Sequence, residues 1–466
     1  MTAARRIVVV GANAAGMSAA HQALRTAAAR GREIEVIAVE STHDTSYAAC
    51  ALPYWIAGDT ATAADFTART AVEHRARGVD LRLGVAAVAL DLDGGRLRVR
   101  ADDGAESALG FDDVVLATGA IAVVPPWARR ADGGLVAGVH PVKTLDDGRH
   151  WIERLSAPSP AGRPRRAVIV GGGYIGVELA EALLRRGLAV ELVTRHRVLA
   201  SLDPDMSQRV EERLRAGGVG LRVETEVAGL EVGGSGVVSG VVTDDGATVP
   251  ADVVVLGVGV EPNSGLGSAG GIPVGKHGGH LPDPGGRVAA GAWAVGDCCE
   301  TVHRLTGERV YLPLGTHANK MGRAAGQNLG GGRAAFGGVL GTSITRFEAG
   351  AASVEVARTG LSTRQAERAG RAAASLVTEG TTASGYMPEA APIATAVVAD
   401  RDTRQLLGVQ IVGGPNAAKR VDATAAALWG GLGVDDLAAM DLAYAPPFAT
   451  AWEAVQVAAR RLADRL

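Results

Sequence analysis

A chain of 466 residues, 47% hydrophobic and holding 64 glycines, is too long for one core and is expected to divide into about three domains. A formal net charge of -3 argues against the basic surface that nucleic-acid binding needs, and no apolar run is long enough for a transmembrane helix. Three cysteines cannot build a disulfide framework, which implies a reducing compartment and hence the cytoplasm.

The opening MTAARRIVVVGANAAG sets two arginines before an apolar run, as a secretion signal does. The run is short, β-branched and ends in a glycine turn, so it reads as a first strand over 5–10, with a helix over 14–30 and a second strand over 34–39. SYAACALPYW, 46–55, then presents Cys50 with no second cysteine nearby; the others, Cys298 and Cys299, are adjacent and far downstream. DDVVLATGA (112–120) reads as a buried strand ending in glycine, and SAPSPAGRPRR (156–166) as an exposed connection. From 167, AVIVGGGYIGVELAEALLRRG echoes the first unit, with AVELV (189–193) as its second strand and DVVVLGVGVEPN (252–263) as a further buried one. Residues 264–291, rich in Gly and Pro, return the chain to the first domain, where AWAVGDCCE (292–300) forms another strand. Beyond GGGRAAFGGVLG (330–341), the stretches ASVEVARTG, ATAVVAD and LLGVQIVGG read as antiparallel strands followed by Ala-rich helices.

The fold class that follows is α/β, with two Rossmann-like dinucleotide-binding domains and a C-terminal α+β domain. The boundaries are 1–120 with 266–335, then 121–265, then 336–466.

GANAAG places Gly11, Asn13, Ala15 and Gly16 between a strand and a helix, with Glu40 ending the next strand. In such a unit the glycines allow a tight turn and close helix–strand packing, and the pyrophosphate sits on the helix N-terminus. The terminal acid accepts hydrogen bonds from ribose hydroxyls. GGGYIG supplies Gly171, Gly173, Tyr174, Ile175 and Gly176, followed by Glu178; its second strand ends in Thr194 with Arg195, His196 and Arg197 beyond it. A carboxylate would repel a 2′-phosphate and an arginine would hold it, so NADPH is expected over NADH, with Arg195 and Arg197 as its contacts. Two such turns imply two dinucleotides. Ala117, Thr118 and Gly119, Gly259, and Gly296 with Asp297 are placed where backbone approaches a cofactor, Asp297 facing a sugar-alcohol chain such as the ribityl of FAD.

At this point the whole chain resembles the two-dinucleotide flavoprotein disulfide reductases. More narrowly it resembles their single-cysteine branch: coenzyme A disulfide reductase, water-forming NADH oxidase, NADH peroxidase and persulfide reductase. SYAACALPY is similar to the redox-cysteine segment of the coenzyme A enzymes, DLAYAPPFATAWE (441–453) to their C-terminal tyrosine segment, and PLGTHANKMGRAAG (313–326) to the segment whose helix points at the flavin. The resemblance implies FAD on the first turn, NAD(P)H on the second, and a homodimer whose partner chain completes the site. It implies Cys50 as the redox cysteine, and Tyr444 and Tyr386 as site tyrosines. Pro313, His317 and Ala318 lie by the flavin in this reading, while Gln22, Arg25, Ser46 and Ala49 occupy substrate positions. Ala49 replaces the asparagine of the coenzyme A enzymes, and no fused rhodanese-like domain is expected within 466 residues.

A cysteine at a helix N-terminus is expected to have a lowered pKa and to exist as thiolate. With no partner cysteine, Cys50 must form its oxidised state with an external thiol or as a sulfenic acid. The functions left open are an FAD-dependent, NAD(P)H-linked reductase of a small disulfide, with coenzyme A as substrate or bound mixed disulfide; an NAD(P)H oxidase or peroxidase, or a persulfide reductase; and a flavin-binding redox sensor. Cys298 and Cys299 are expected to pack beside the flavin, and no histidine has metal-ligand spacing with a cysteine, so no metal is expected.

Overall fold

The computed structural model describes residues 4–156 and 165–466; most of the connection expected over 156–166 lies outside the described residues. Six strands build the first sheet, in the spatial order Arg287–Ala289, Ala292–Ala294, Asp113–Leu116, Arg5–Val10, Ile34–Glu40 and Val79–Leu83. Arg5–Val10 runs parallel to both neighbours. Its Ile7, Val8 and Val9 have no exposed surface, which is why the strand is a continuous β-branched run instead of an alternating one.

The second sheet has five parallel strands in the order Gly220–Val223, Ala189–Thr194, Arg166–Val170, Val253–Leu256 and Val139–Pro141. Each of these two sheets carries beside it a three-stranded antiparallel meander, Val85–Asp91 with Arg96–Ala101 and Glu106–Gly110, and Val227–Val232 with Val238–Thr243 and Thr248–Pro250. The C-terminal sheet is antiparallel throughout, in the order Ser343–Ala349, Ala352–Gly360, Leu406–Gly413, Pro392–Asp400 and Ala373–Thr381. The helices Val421–Gly430, Val434–Ala439 and Ala454–Ala463 bury Leu428, Leu437 and Leu462 against it. Two Rossmann-like sheets with a C-terminal α+β unit is the expected fold class.

Two contacts position the site. The helix Ala14–Ala28 lies against Gly315–Leu329 because Gly322 and Gly326 carry no side chain: a Cβ on them would stand 2.2 Å from the Ala15 carbonyl oxygen and 2.3 Å from that of Ala19. Four residues apart, both glycines fall on one helix face. The second contact joins the second sheet to the C-terminal one. Phe347, fully buried, sits in one core with Leu192, Leu214 and Val219, and a Cβ on Gly217 would meet its ring at 2.5 Å. Among the described residues no helix is long and apolar enough to cross a membrane.

Candidate active site

The two glycine turns have the same construction. Gly11 has φ +102°, and a Cβ there would lie 2.2 Å from the Ala117 carbonyl oxygen; one on Gly16 would lie 1.9 Å from the carbonyl oxygen of Gly11. In the second turn Gly171 has φ +115° and stands in the same relation to Gly257 at 2.2 Å, and Gly176 to Gly171 at 2.0 Å. Each turn is therefore closed by backbone on backbone, which leaves the N-terminus of its helix open to an anion.

The first turn fits a dinucleotide. Asn13 begins the helix without a side-chain cap, and its Oδ1 is buried with no hydrogen-bond partner among the described residues. Glu40 accepts from the Ala12 N–H at 2.9 Å on one oxygen and from the Thr42 N–H at 3.0 Å on the other, which fixes the carboxylate beside the turn. Thr118 and Gly119 follow the central strand, and Gly296, with φ +83°, packs its backbone on Ala15, where a Cβ would come within 2.7 Å. Asp297 next to it is held above its ordinary pKa by burial, with Lys143 and His317 opposing. The phenol oxygen of Tyr311 is likewise buried and without a partner among the described residues, and burial raises its pKa, with the charge of Asp297 adding to the rise. Pro313 precedes the helix on which His317 and Ala318 are buried; His317 Nδ1 donates to the Leu312 carbonyl at 3.1 Å, which leaves Nε2 as the acceptor.

At the second turn, Tyr174 lies 2.6 Å through its hydroxyl from Ser343 Oγ, and Glu178 accepts from Thr345 Oγ1 at 3.0 Å; both partners come from the C-terminal sheet. Burial pushes the Glu178 carboxyl up to about 7, opposed by the Thr345 hydrogen bond and assisted by Glu181. Gly259, with φ +107°, has open space where a Cβ would be. The two arginines expected together are separated in role. Arg197 makes a two-pronged pair with the buried Glu211, at 2.8 and 2.9 Å, whereas Arg195 is largely exposed and 3.9 Å from Glu226. Arg195 is the cation presented beyond the strand end.

Cys50 lies in the single turn Ala49–Ala51 ahead of the helix Leu52–Ala57. The expected low pKa is corrected. Although Cys50 is exposed, the protein around it pushes the thiol upward: desolvation contributes most, then the charge of Glu178, with Lys143 lowering and Asp297 raising further. The helix that follows is only six residues long. Cys50, Glu178 and Asp297 thus converge from segments far apart in sequence, together with Lys143, whose Nζ is 3.7 Å from Asp297 Oδ2. Sequence reasoning missed Lys143. Its signal was available, since it is one of four lysines in a chain whose other cationic side chains are arginines.

Cys298 and Cys299 are buried with their sulfurs 3.8 Å apart, and the Cys298 thiol faces the carbonyl oxygens of Leu116 and Val295 at 3.4 Å each. No group of three or more His, Cys, Asp and Glu among the described residues can hold a metal. Gln22 and Arg25 line an open groove of about 480 Å³ between the first helix and Gly315–Leu329, together with Arg30, Arg323 and Gln327, which sequence reasoning also missed. Arg25 donates to Gln22 Oε1 at 2.8 Å, so the two expected substrate residues already form one surface. Tyr386 and Tyr444 sit elsewhere, on two C-terminal loops joined by the Ser384 N–H to the Pro446 carbonyl at 2.9 Å. Both are exposed, as are Phe448 and Trp452 of the same region.

Residues 5–322 match the protein-family model whose description is Pyridine nucleotide-disulphide oxidoreductase, and residues 350–455 match the dimerisation domain of that family. The chain is 36% identical over 464 residues to the NAD(P)H sulfur oxidoreductase (CoA-dependent) of Pyrococcus abyssi, spanning 98% of each chain. It is 29% identical over 470 residues to the NADH oxidase of Methanocaldococcus jannaschii, spanning 99% of each. It superposes on the NAD-dependent persulfide reductase of A. fulgidus with a TM-score of 0.90 at 30% identity, covering 99% of this chain and 83% of that one.

The Glu178 carboxyl gives a pH test with a definite sign. An acid with a folded pKa near 7 and an unfolded one near 4.5 binds its proton more tightly when folded, so its contribution is whole below about 4.5 and is lost as pH rises through about 7. The thermal midpoint of Glu178→Gln minus that of the flavin-free wild type is expected to grow more positive from pH 5 to pH 8; a difference that is flat across this range contradicts the buried, protonated carboxyl.

Proposed function

The chain belongs to the pyridine nucleotide-disulphide oxidoreductase family, and on that premise we propose that it reduces a low-molecular-weight disulfide, coenzyme A disulfide foremost, through a mixed disulfide on Cys50. It is an NAD(P)H-dependent, flavin-linked oxidoreductase. The observation that carries the finer reading is the isolation of Cys50: it is the one exposed cysteine, and the other two are buried against each other. The disulfide partner of Cys50 is then an external thiol. The groove lined by Arg25, Arg30 and Arg323 supports a substrate with phosphate groups, and a relative over nearly the whole chain is named as coenzyme A-dependent.

In this reading FAD is held by Gly11, Asn13, Ala15, Gly16 and Glu40 at the first turn, and by Ala117, Thr118, Gly119, Gly296, Asp297, Pro313, His317 and Ala318 around it. NAD(P)H is held by Gly171, Gly173, Tyr174, Ile175, Gly176, Glu178 and Gly259. Bound FAD supplies two-electron transfer between reduced nicotinamide and sulfur. Arg195 holds a 2′-phosphate, which favours NADPH. Lys143 is the cation that offsets Glu178 and Asp297 and so favours the Cys50 thiolate. That thiolate attacks one sulfur of R–S–S–R; the S–S bond breaks, one thiolate leaves and Cys50–S–S–R remains. Two electrons and a proton then release the second thiol and restore Cys50. The sum is NADPH, one proton and R–S–S–R giving NADP⁺ and two R–SH. Tyr444 and Tyr386 of the partner subunit donate to the leaving thiolates through their phenol O–H groups. Their exposure on the dimerisation domain supports a homodimer with a shared site.

A second reading is an oxidase, peroxidase or persulfide reductase in which Cys50 cycles through a sulfenate or persulfide. Ala49 favours it by removing a polar group beside the reacting sulfur, as do relatives named NADH oxidase and persulfide reductase.

Cys50→Ser is expected to retain flavin and to lose disulfide reduction by on the order of a thousandfold or more, as removal of a nucleophile does. Full activity in that variant would indicate a flavin-binding sensor, and rapid oxygen uptake by the wild type without any disulfide would indicate the oxidase. Arg195→Ala is expected to lower kcat/KM for NADPH by about tenfold while leaving NADH unchanged; a wild type that prefers NADH contradicts the role given to Arg195.

A further inference from the structure

The loop leading to Cys50 is tied to the interior by three side chains that the mechanism above leaves unused. Ser46 Oγ lies 2.8 Å from His74 Nε2, and His74 Nδ1 lies 2.7 Å from His21 Nε2. They come from three places: the loop four residues before Cys50, the helix Ala71–Ala76 and the helix Ala14–Ala28. His74 has no exposed surface and His21 only 6%. Ser46 has φ +49°, in the left-handed region that a serine enters at a cost. It is held there from both sides, its N–H donating to the Ala12 carbonyl at 3.2 Å and its own carbonyl accepting from the Ala68 N–H at 2.8 Å. Ser46, the first residue of the Cys50 stretch, is therefore clamped between the first glycine turn and the segment at Ala68.

A neutral imidazole has one N–H and one bare nitrogen. Burial pulls both rings down to about 4; the charges of Arg69 and Arg77 act in the same direction on each, Arg25 also on His21, and Glu73 opposes at His74. Both are neutral where thiols react. In such a row the hydrogen bonds run in one sense together. When His21 donates to His74, His74 donates to Ser46 and the serine O–H is turned outward; in the opposite sense the serine donates inward and turns its lone pairs outward. Either way the hydroxyl ceases to be a free rotor. Two buried imidazoles and a strained serine are a costly way to fill space that aliphatic side chains would fill without desolvation.

We propose that His74, backed by His21, is a positioning residue that fixes the Ser46 hydroxyl for the disulfide entering at Cys50. The inference rests on the disulfide-reductase reading, in which Ser46 contacts substrate.

The test uses flavin-loaded protein carrying Ser46→Ala, His74→Leu, His74→Gln, and Ser46→Ala with His74→Leu. Two quantities are measured: kcat and KM for coenzyme A disulfide, and the rate at which Cys50 of the NADPH-reduced protein is captured by hydroxyethyl disulfide. Ser46→Ala and His74→Leu are each expected to slow capture about tenfold, as loss of one hydrogen bond does, and the double variant no further. The loss falls on KM for the disulfide, His74→Gln recovers most of it through its amide, and flavin reduction by NADPH in the His74 variants keeps the wild-type rate. Capture by His74→Leu at the wild-type rate, or losses that multiply in the double variant, would overturn the proposal. If His74→Leu does not fold, His21→Asn replaces it: a loss contained within that of Ser46→Ala supports the relay, and an independent loss overturns it. A wild type that captures hydroxyethyl disulfide without turning over coenzyme A disulfide would refute the substrate assignment alone, because capture still judges the relay.

Discussion

At the start of each glycine turn a carbonyl oxygen from a neighbouring strand end occupies the space that a side chain would need. The oxygen of Ala117 lies where Gly11 would carry a Cβ, and that of Gly257 lies where Gly171 would. Everything at the site depends on this close approach. It brings the end of a buried strand, a turn and a helix N-terminus together with nothing between them, and it does so once for each dinucleotide. The geometry is so nearly repeated, Gly16 on Gly11 and Gly176 on Gly171, that the second turn reads as a copy of the first.

Around this frame the other elements are placed by packing of small residues. Gly322 and Gly326 let the helix Gly315–Leu329 approach the first helix, which puts Arg323 opposite Arg25 and makes the basic groove. The edge strand of the C-terminal sheet reaches the helix Tyr174–Arg185 of the second turn with Ser343 and Thr345, which set Tyr174 and Glu178. The charge balance at Cys50 is set by the same packing: two carboxylates and burial raise the thiol, and one lysine opposes them. A thiol raised in this way depends on Lys143 for its thiolate, the form in which a cysteine attacks a disulfide.

Much of this was legible in the sequence because its signals are local. β-Branched runs, glycine turns and an isolated cysteine are each properties of a few consecutive residues. The parallel strands at Arg5–Val10 and Arg166–Val170 and the antiparallel C-terminal strands formed where those signals lay. The two meanders were not legible, since strands such as Arg96–Ala101 alternate buried and exposed residues and carry no long apolar run. Residues that matter through a distant partner were not legible either. Arg197 looked like a phosphate ligand until Glu211, fourteen residues on and buried, was found to hold it. Lys143, Arg323 and the His21–His74–Ser46 row acquire meaning only when separate elements meet. The pKa direction of Cys50 was misread for the same reason: the helix is local, but Glu178 and Asp297 are not.

The central claim is that Cys50 forms its oxidised state with an external thiol. It is tested most directly by the intact mass of the freshly purified protein, denatured without reductant, before and after exposure to coenzyme A disulfide. The account predicts a gain, removable by reductant and mapping to Cys50, of one coenzyme A less two hydrogens, one lost from each thiol as the disulfide forms. A protein that stays at its sequence mass, or gains a single oxygen at Cys50, would contradict it.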